Sequence, residues 1–380
     1  MPRLRRSTCA SPGIERRRRG RGFSYLAPDG RRVDDPEVLQ RIDELTIPPA
    51  WREVWICLDP LGHLQATGVD AAGRKQYRYH DQWRAHRDRQ KFDSMVGFGT
   101  ALPRLRRRVA RDLKREPLSR EQVLAAAIRL LDLGFFRIGS EDYAEQNESY
   151  GLTTMRRSHV SLCDDEIVFD YQAKSGIRRV QAIADPQVRD IVAKLKRRRG
   201  GGDLLLVYRS PRGFAELHAD QVNSYLKQIA GEDFSAKDFR TWNATVLAAV
   251  ALAAGPTSPA RERATRAATQ AARERAVREP ASQPARERAV REPASQAARE
   301  RAVRAAIKTV AAYLGNTPAV CRASYVDPRV IDRFHAGTTI AAALDGRRGG
   351  PNLANSATRT RIEAAVVELL DDAPAVRAAA

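Results

Sequence analysis

Along the first quarter of the chain the apolar and polar positions change over in short runs, and only later do they lengthen into helical stripes. From Phe23 to about Gly99 the runs predict mainly short strands. FSYLAPDGRRV carries the Asp29-Gly30 dipeptide of a hairpin turn, and VWICLDPLGHLQATGVDAAGRKQYRY holds three further turn signals between β-rich runs. In Gln76-Tyr77-Arg78-Tyr79 the side chains alternate, so Gln76 and Arg78 share one face and the two tyrosines the other. DQWRAHRDRQKFDSM (81–95) is charged and helix-compatible. After a hinge, FGTALPRLRRRVARDLKREPLS reads as a basic helix that ends near Pro117 and opens a second, larger domain.

Ser119 with Gln122 three residues on forms a capping box for EQVLAAAIRLLDLG, and Gly134 stands where a C′ stop is expected. Residues 151–183 predict three strands, with Ala173-Lys174-Ser175-Gly176 as the turn between the last two. An Asp185-Pro186 cap then starts a helix running to Lys196–Arg199, and the glycines 200–202 break it. A buried strand LLLVY and a helix around Ala219 to Ile229 follow. Ser235 to Asp238 cap a long Ala/Val/Leu helix, FRTWNATVLAAVALAA. Lys237 and Arg240 fall in its first turns, where the macrodipole disfavours cations unless an anion is present. Near the end, Thr317 caps a helix whose first position is Pro318. Asp327-Pro328 restarts the chain, because the residue before a proline is pushed out of the α region. Tyr325 therefore sits on the last turn of a short helix, displayed rather than buried.

The expected fold class is α+β. A basic arm (1–22) precedes a small, mainly β amino-terminal domain (23–100) and a larger, mainly α domain (101–380) with a three-stranded sheet. Residues 256–304 interrupt that domain with a 13-residue repeat. ARERAVREPASQ occurs at 272–283 and 285–296, with a truncated copy from Ala298 and a degenerate one from Ala260. Ala, Arg and Glu favour helix, but the prolines limit its length and too few apolar residues remain to build a core. The repeat is expected to be an exposed insertion, with packed structure resuming at about Ala305.

Composition narrows the class. In 380 residues, 43% of them apolar, no long uncharged apolar run predicts a membrane span, and the basic start has no apolar stretch of a secretory signal. Cys9, Cys57, Cys163 and Cys321 show neither paired spacing nor neighbouring histidines, so neither a metal site nor a disulfide framework is expected. A reducing cytoplasm is the expected compartment. The net charge of +20 points to a polyanionic partner, most often nucleic acid. The arm supplies +7 of it and residues 259–304 another +6, which leaves +7 for the remainder. The arm is expected to be disordered, either attracting phosphates non-specifically or serving as a solvated tail.

Candidate chemistry comes from a few positions, each with a plainer alternative. Arg74, Lys75, Gln76, Tyr77 and Tyr79 interleave bases with aromatics in a way that suits phosphates and base edges. A half-buried strand with a solvated charged face has the same pattern. Arg137, in FFRIGS, has its guanidinium directed by flanking phenylalanines, or it is a structural ion pair. Lys174 is at a hairpin tip, where a long cation can swing into a site, although most turn lysines are simply solvated. A lone displayed tyrosine such as Tyr325 is ordinarily packing.

Taken together, five stretches change that weighting. HLQATGVDAAGRKQYRYH, LLDLGFFRIGSEDYAEQNESYGLTT, Tyr171-Gln-Ala-Lys174, FSAKDFRTW and LGNTPAVCRASYV, in that order and spacing, resemble the bacterial, poxvirus-like type IB DNA topoisomerases. The resemblance runs from about residue 23 to 340, apart from the repeat. It implies that Tyr325 is the nucleophile that forms a 3′-phosphotyrosyl link to DNA. Arg137 and Arg240 would grip the scissile phosphate and Asn316 would hold a non-bridging oxygen. Lys174 would protonate the leaving 5′ oxygen, with Lys237 assisting. Supercoils in double-stranded DNA would be relaxed without ATP, metal or other cofactor, by a nucleoid-associated monomer clamped around the duplex.

Three departures accompany the resemblance. Asn316 stands where poxviral and eukaryotic relatives have histidine, so hydrogen bonding continues but proton transfer by this residue does not. Ala173 replaces the glycine that usually precedes the lysine, and Arg178-Arg179 depart from the usual sequence after the turn. A tyrosine recombinase shares the chemistry, but there a histidine usually stands three residues before the second arginine, where this chain has Lys237. A non-catalytic, basic DNA-compacting protein would leave the ordered constellation without a purpose.

Overall fold

The computed structural model describes residues 3–139, 148–231, 233–255, 295–344 and 355–371. These form two compact units, Met1–Phe92 and Asp93–Ala380. Most of the repeat, 256–294, lies outside the described residues, as does the segment 140–147 that follows the FFRIGS motif.

In the first unit, strands β1 (Ile14–Arg19), β2 (Gly22–Leu26), β3 (Arg52–Ile56), β4 (Leu64–Val69) and β5 (Lys75–Tyr79) make an antiparallel sheet in the order β2-β1-β3-β4-β5. β1 falls in the arm expected to be disordered, so that expectation is corrected. Ile14 pairs in register with Ile56, and both are buried in a core with Ile42, Val54 and Ala66. The Arg16 guanidinium stacks over Phe23 and donates to the carbonyls of Trp51 (2.8 Å), Pro48 (3.0 Å) and Ile47 (3.3 Å). An arginine run reads as unstructured from composition, yet backbone pairing with β2 and β3, an apolar residue in register and a guanidinium tying down a loop hold this strand. Nearer the start, Ser7 donates to the Leu64 carbonyl at 2.9 Å. Helix α1 (Pro36–Glu44), capped by Asp35, was also not foreseen among the strands.

Helix α2 (Asp81–Asp112) runs without a break through Pro103, so the two helical stretches expected on either side of residue 95 are one helix, and the division between units falls within it, after Phe92. A helix-interior proline costs about 3 kcal/mol. Phe98, Leu102, Leu105 and Val109, at helical spacing, are all buried, and each contributes about 1.5–3 kcal/mol. Burial wins, and the helix continues.

The second unit is mainly helical. Helix α3 (Arg120–Gly134) is followed by a three-stranded antiparallel sheet of β6 (Val160–Cys163), β7 (Glu166–Ala173) and β8 (Ile177–Ile183). Then come α4 (Pro186–Arg197), a hairpin of β9 (Val207–Ser210) and β10 (Gly213–Glu216), α5 (Ala219–Ala230) and α6 (Ala236–Ala253). The expected α+β architecture, a small β unit and a larger helical one with a three-stranded sheet, is observed. α6 is buried along most of its length, as its Ala/Val/Leu sequence requires, with Trp242 wholly inside. Helix α7 (Gln296–Leu314) starts within the last repeat copy, not at Ala305: Ser295 caps it and Val303 is buried. Short helices α8 (Pro318–Ser324) and α9 (Pro328–His335) lead to α10 (Ser356–Leu370).

At the end of α3 the expected stop is displaced by one residue. Gly134 is still helical, and its lack of a side chain serves packing instead: a Cβ there would lie 2.3 Å from the Phe136 ring. The left-handed position falls on Phe135 instead, at φ 54°, a strained conformation for a large side chain.

Candidate active site

Tyr325 closes α8. Thr317 caps the helix, its hydroxyl accepting from the Val320 N–H at 3.3 Å, and Pro318 fills the first turn. The Tyr325 N–H donates to the Cys321 carbonyl at 3.0 Å, and Asp327 immediately caps α9. The backbone around the tyrosine is pinned from α6. The buried Thr245 hydroxyl lies 3.3 Å from the Tyr325 carbonyl and accepts the Asp327 N–H at 3.1 Å.

Beneath the phenol is Arg240, also from α6. Its guanidinium carbon is 5.1 Å from the centroid of the Tyr325 ring, and the residue is 3% exposed. Among the described residues no carboxylate pairs with it. It donates instead to the carbonyls of Phe135 and of Leu314, the latter at 3.0 Å. Those carbonyls lie at the C-terminal ends of α3 and α7, the negative poles of two helix dipoles. Arg240 lies near the N-terminus of its own helix, where a cation is disfavoured, and two other helices offset that cost. Burial, and then the charge of Arg137, push its pKa down to about 10, which leaves it charged at neutral pH.

Arg137 and Asn316 meet from opposite directions. Arg137 leaves α3 between Phe136, whose ring packs edge-on to Phe169 with centroids 4.9 Å apart, and the backbone bond from Leu152 N–H to its own carbonyl. Asn316 leaves α7 through a Schellman turn in which its N–H donates to the Ala311 carbonyl at 3.1 Å and Gly315 N–H to Ala312. The Arg137 guanidinium donates to the Asn316 amide oxygen at 2.7 Å. The ion pair considered for Arg137 is therefore replaced, among the described residues, by an amide partner. The Asn316 amide nitrogen and Arg240 Nε are buried without a hydrogen-bond partner. Polar atoms left this way in a cationic recess await an anion's oxygens.

The phenol responds to this setting. Burial alone would raise its pKa, but the charge of Arg240, a hydrogen bond with it, the charge of Arg137 and the polar contact of Asn316 outweigh burial, and the pKa falls below the ordinary tyrosine value. A phenol whose ionisation is favoured by two neighbouring guanidiniums is equipped to attack an anionic phosphorus centre.

Of the predicted set, Tyr325, Arg240, Arg137 and Asn316 are thus brought together. Lys174 is exposed in the turn between β7 and β8, and Lys237 is exposed in the first turn of α6. Of the β5 group, Tyr77 and Tyr79 are exposed with rings nearly parallel (14°), on the face opposite Gln76 and Arg78, as the alternation predicts. Arg74 and Gln76 are both bonded to Asp70 at 2.9 Å, which organises the β4–β5 turn, and Lys75 donates to the Cys9 sulfur at 3.3 Å. Inspection of the sequence missed Thr245 and treated Arg179 only as a departure. Arg179 and Gln181 lie two apart on β8, and polar residues on the inward face of a strand are the signal that could have revealed them.

A family model described as the catalytic core of eukaryotic DNA topoisomerase I matches residues 80–336, and one described as the N-terminal domain of bacterial DNA topoisomerase IB matches residues 22–70. The DNA topoisomerase 1B of Acanthamoeba polyphaga mimivirus is 31% identical over 239 residues, covering 62% of this chain and 70% of that one. The DNA topoisomerase 1B of vaccinia virus (strain Copenhagen) is 26% identical over 149 residues, 38% of this chain and 47% of its own. The DNA topoisomerase 1 of Schizosaccharomyces pombe is 30% identical over 161 residues, 42% of this chain and 19% of the yeast protein. With a catalytic-core model covering more than half its length and the cationic tyrosine site lying inside that span, this chain belongs to the type IB DNA topoisomerase family.

Proposed function

We propose that this chain relaxes supercoiled duplex DNA by cutting and rejoining one strand through Tyr325. The observation that carries this is the half-buried phenol over Arg240, a buried guanidinium held by helix ends rather than by a carboxylate. A cation with no carboxylate partner among the described residues, next to a phenol of lowered pKa, suits an incoming phosphodiester. The Tyr325 oxygen, its proton given up to water, attacks phosphorus and forms the 3′-phosphotyrosyl ester. The bond to the 5′ oxygen breaks, and that oxygen takes a proton from Lys174, with Lys237 assisting. Arg137, Arg240 and Asn316 hold the non-bridging oxygens, whose charge redistributes in the transition state. The ester conserves the energy of the diester, so the 5′ hydroxyl reverses the reaction after strand rotation with no nucleotide or metal.

In this account the first unit binds DNA through the exposed Tyr77 and Tyr79 with Lys75, and Arg74 and Gln76 shape the turn that presents them. The second unit carries the chemistry. The protein acts on chromosomal DNA in the cytoplasm, associated with the nucleoid, as a monomer clamped around the duplex. The test is relaxation of positively and negatively supercoiled plasmid in EDTA without ATP. Tyr325→Phe is expected to abolish relaxation while DNA binding persists, and relaxation that survives this substitution overturns the assignment. Exchange between specific sites without plain relaxation would identify a recombinase instead.

A further inference from the structure

The ends of α3 and α7, which deliver Arg137 and Asn316 and are already joined by the Arg137–Asn316 bond and by Arg240, are tied together a third time by a part of the fold with no role in the chemistry above. Arg179 and Gln181 alternate on β8 and so face the same way. Arg179 Nη2 donates to the Tyr313 carbonyl at 2.7 Å, one of the orphan carbonyls at the end of α7, and to the Gln181 amide oxygen at 3.2 Å. The Gln181 amide nitrogen donates to the Gly134 carbonyl at 2.7 Å, at the end of α3. The result is a relay from one helix end to the other through two side chains of one strand. Gly315 fits this arrangement: it occupies the left-handed region at φ 62°, and a Cβ on it would lie 2.5 Å from Arg179 Nη1. Arg179 has no carboxylate partner among the described residues, and burial lowers its pKa. A buried cation of this kind has a reason to be retained where a helix end must be held in one position.

We propose that Arg179, working through Gln181, is a positioning residue of the cleavage site: the relay fixes the end of α7 against the end of α3 and so sets Asn316 against Arg137. This rests on the cleavage chemistry proposed above. Neither residue touches the phosphate in this account, since each acts on helix carbonyls, and the effect passes through Asn316.

The experiment is a double-mutant cycle on the rate at which excess protein forms a detergent-trapped covalent complex with labelled duplex DNA, alongside thermal unfolding and DNA affinity. Arg179→Ala is expected to slow trapping roughly ten-fold with DNA affinity unchanged, and to have little further effect in the Asn316→Ala background, because residues that act as one unit are not additive. Arg179→Lys, which keeps one donor for the Tyr313 carbonyl, is expected to recover most of the rate. Should the alanine variant not fold, Arg179→Gln replaces it in the cycle with the same expected pattern. An equal loss in both backgrounds, no loss at all, or a lysine variant as slow as alanine overturns the role of Arg179. If the unsubstituted protein forms no complex, the cleavage chemistry falls, and this proposal with it.

Discussion

Arg137 donates to the side-chain oxygen of Asn316 at 2.7 Å, joining residues 179 positions apart in the chain. This bond brings the end of α3 to the end of α7 and places Asn316 with Arg240 beside Tyr325, whose ionisation both favour. Asn316 can orient a phosphate oxygen but cannot exchange a proton with it in the neutral pH range.

Arg240 both grips the phosphate and clasps the two helix ends. Arg240→Lys keeps a charge but cannot hold the Phe135 and Leu314 carbonyls together in the same geometry. Covalent-complex formation is expected to fall by about 10²–10³, the scale of losing one preorganised oxyanion donor. Single-turnover trapping, with DNA affinity measured separately, checks this. An unchanged rate would remove Arg240 from the site.

The lowered pKa of Tyr325 gives the reaction a pH signature. Attack requires the phenolate, so the trapping rate is expected to rise with pH and level off below the ordinary tyrosine pKa of about 10. Asn316→Ala removes one influence that favours ionisation, which moves the rise to higher pH. A profile unmoved by that substitution would mean that Asn316 does not contact the phenol.

Thr245 is a test of backbone placement. Thr245→Val preserves shape but leaves the buried Asp327 N–H without its acceptor, at a cost of about 1–3 kcal/mol. Chemical denaturation should show that loss, together with slower trapping, because the backbone just after Tyr325 is released. Full activity in the valine variant would mean that α8 holds the tyrosine unaided.

Asp132 anchors the rear of the site. It is 3% exposed and binds Arg106 and Arg359, while Asn243, three residues after Arg240, donates to its carbonyl at 3.0 Å. Burial opposes its ionisation, but Arg359, Arg106 and Arg129 prevail and its pKa is pushed down to about 2. A folded pKa below the unfolded value contributes stability that is complete above about pH 4 and is lost as pH falls through about 2, amounting to roughly 2 kcal/mol. Asp132→Asn leaves Arg106 and Arg359 to share Glu363 alone and is expected to cost about 2–3 kcal/mol at neutral pH, near the low end for removing one partner of a buried ion pair. It should also flatten the acid limb of a stability–pH curve, and an unaltered limb would place the acid sensitivity elsewhere.

Much of the fold was legible in the sequence where local chemistry decides it: the Ser119, Asp185, Ser235 and Thr317 caps, the hairpin at Lys174 and the alternation in β5 all depend on residues within a few positions. Elements fixed by distant partners were not. β1 depends on Ile14 opposite Ile56, the continuity of α2 through Pro103 depends on what Phe98 and Leu102 bury against, and the start of α7 inside the repeat depends on the burial of Val303. The same division runs through the site. Tyr325, Arg137, Arg240 and Asn316 stand in recognisable motifs, whereas Arg179, Gln181 and Thr245 act by hydrogen bonds to backbone carbonyls and amides that no motif records. The start of α7 also means that excising the whole repeat through Arg304 would remove its first turns.

The measurement that bears most directly on the central claim is the identity of the residue joined to DNA. Protein and labelled supercoiled plasmid are mixed in EDTA, stopped with detergent and digested, and the labelled peptide is sequenced by mass spectrometry. The account predicts a phosphotyrosine at Tyr325 linked to a 3′ DNA end, absent from Tyr325→Phe. Label on another residue, on a 5′ end, or persisting in the phenylalanine variant would contradict it.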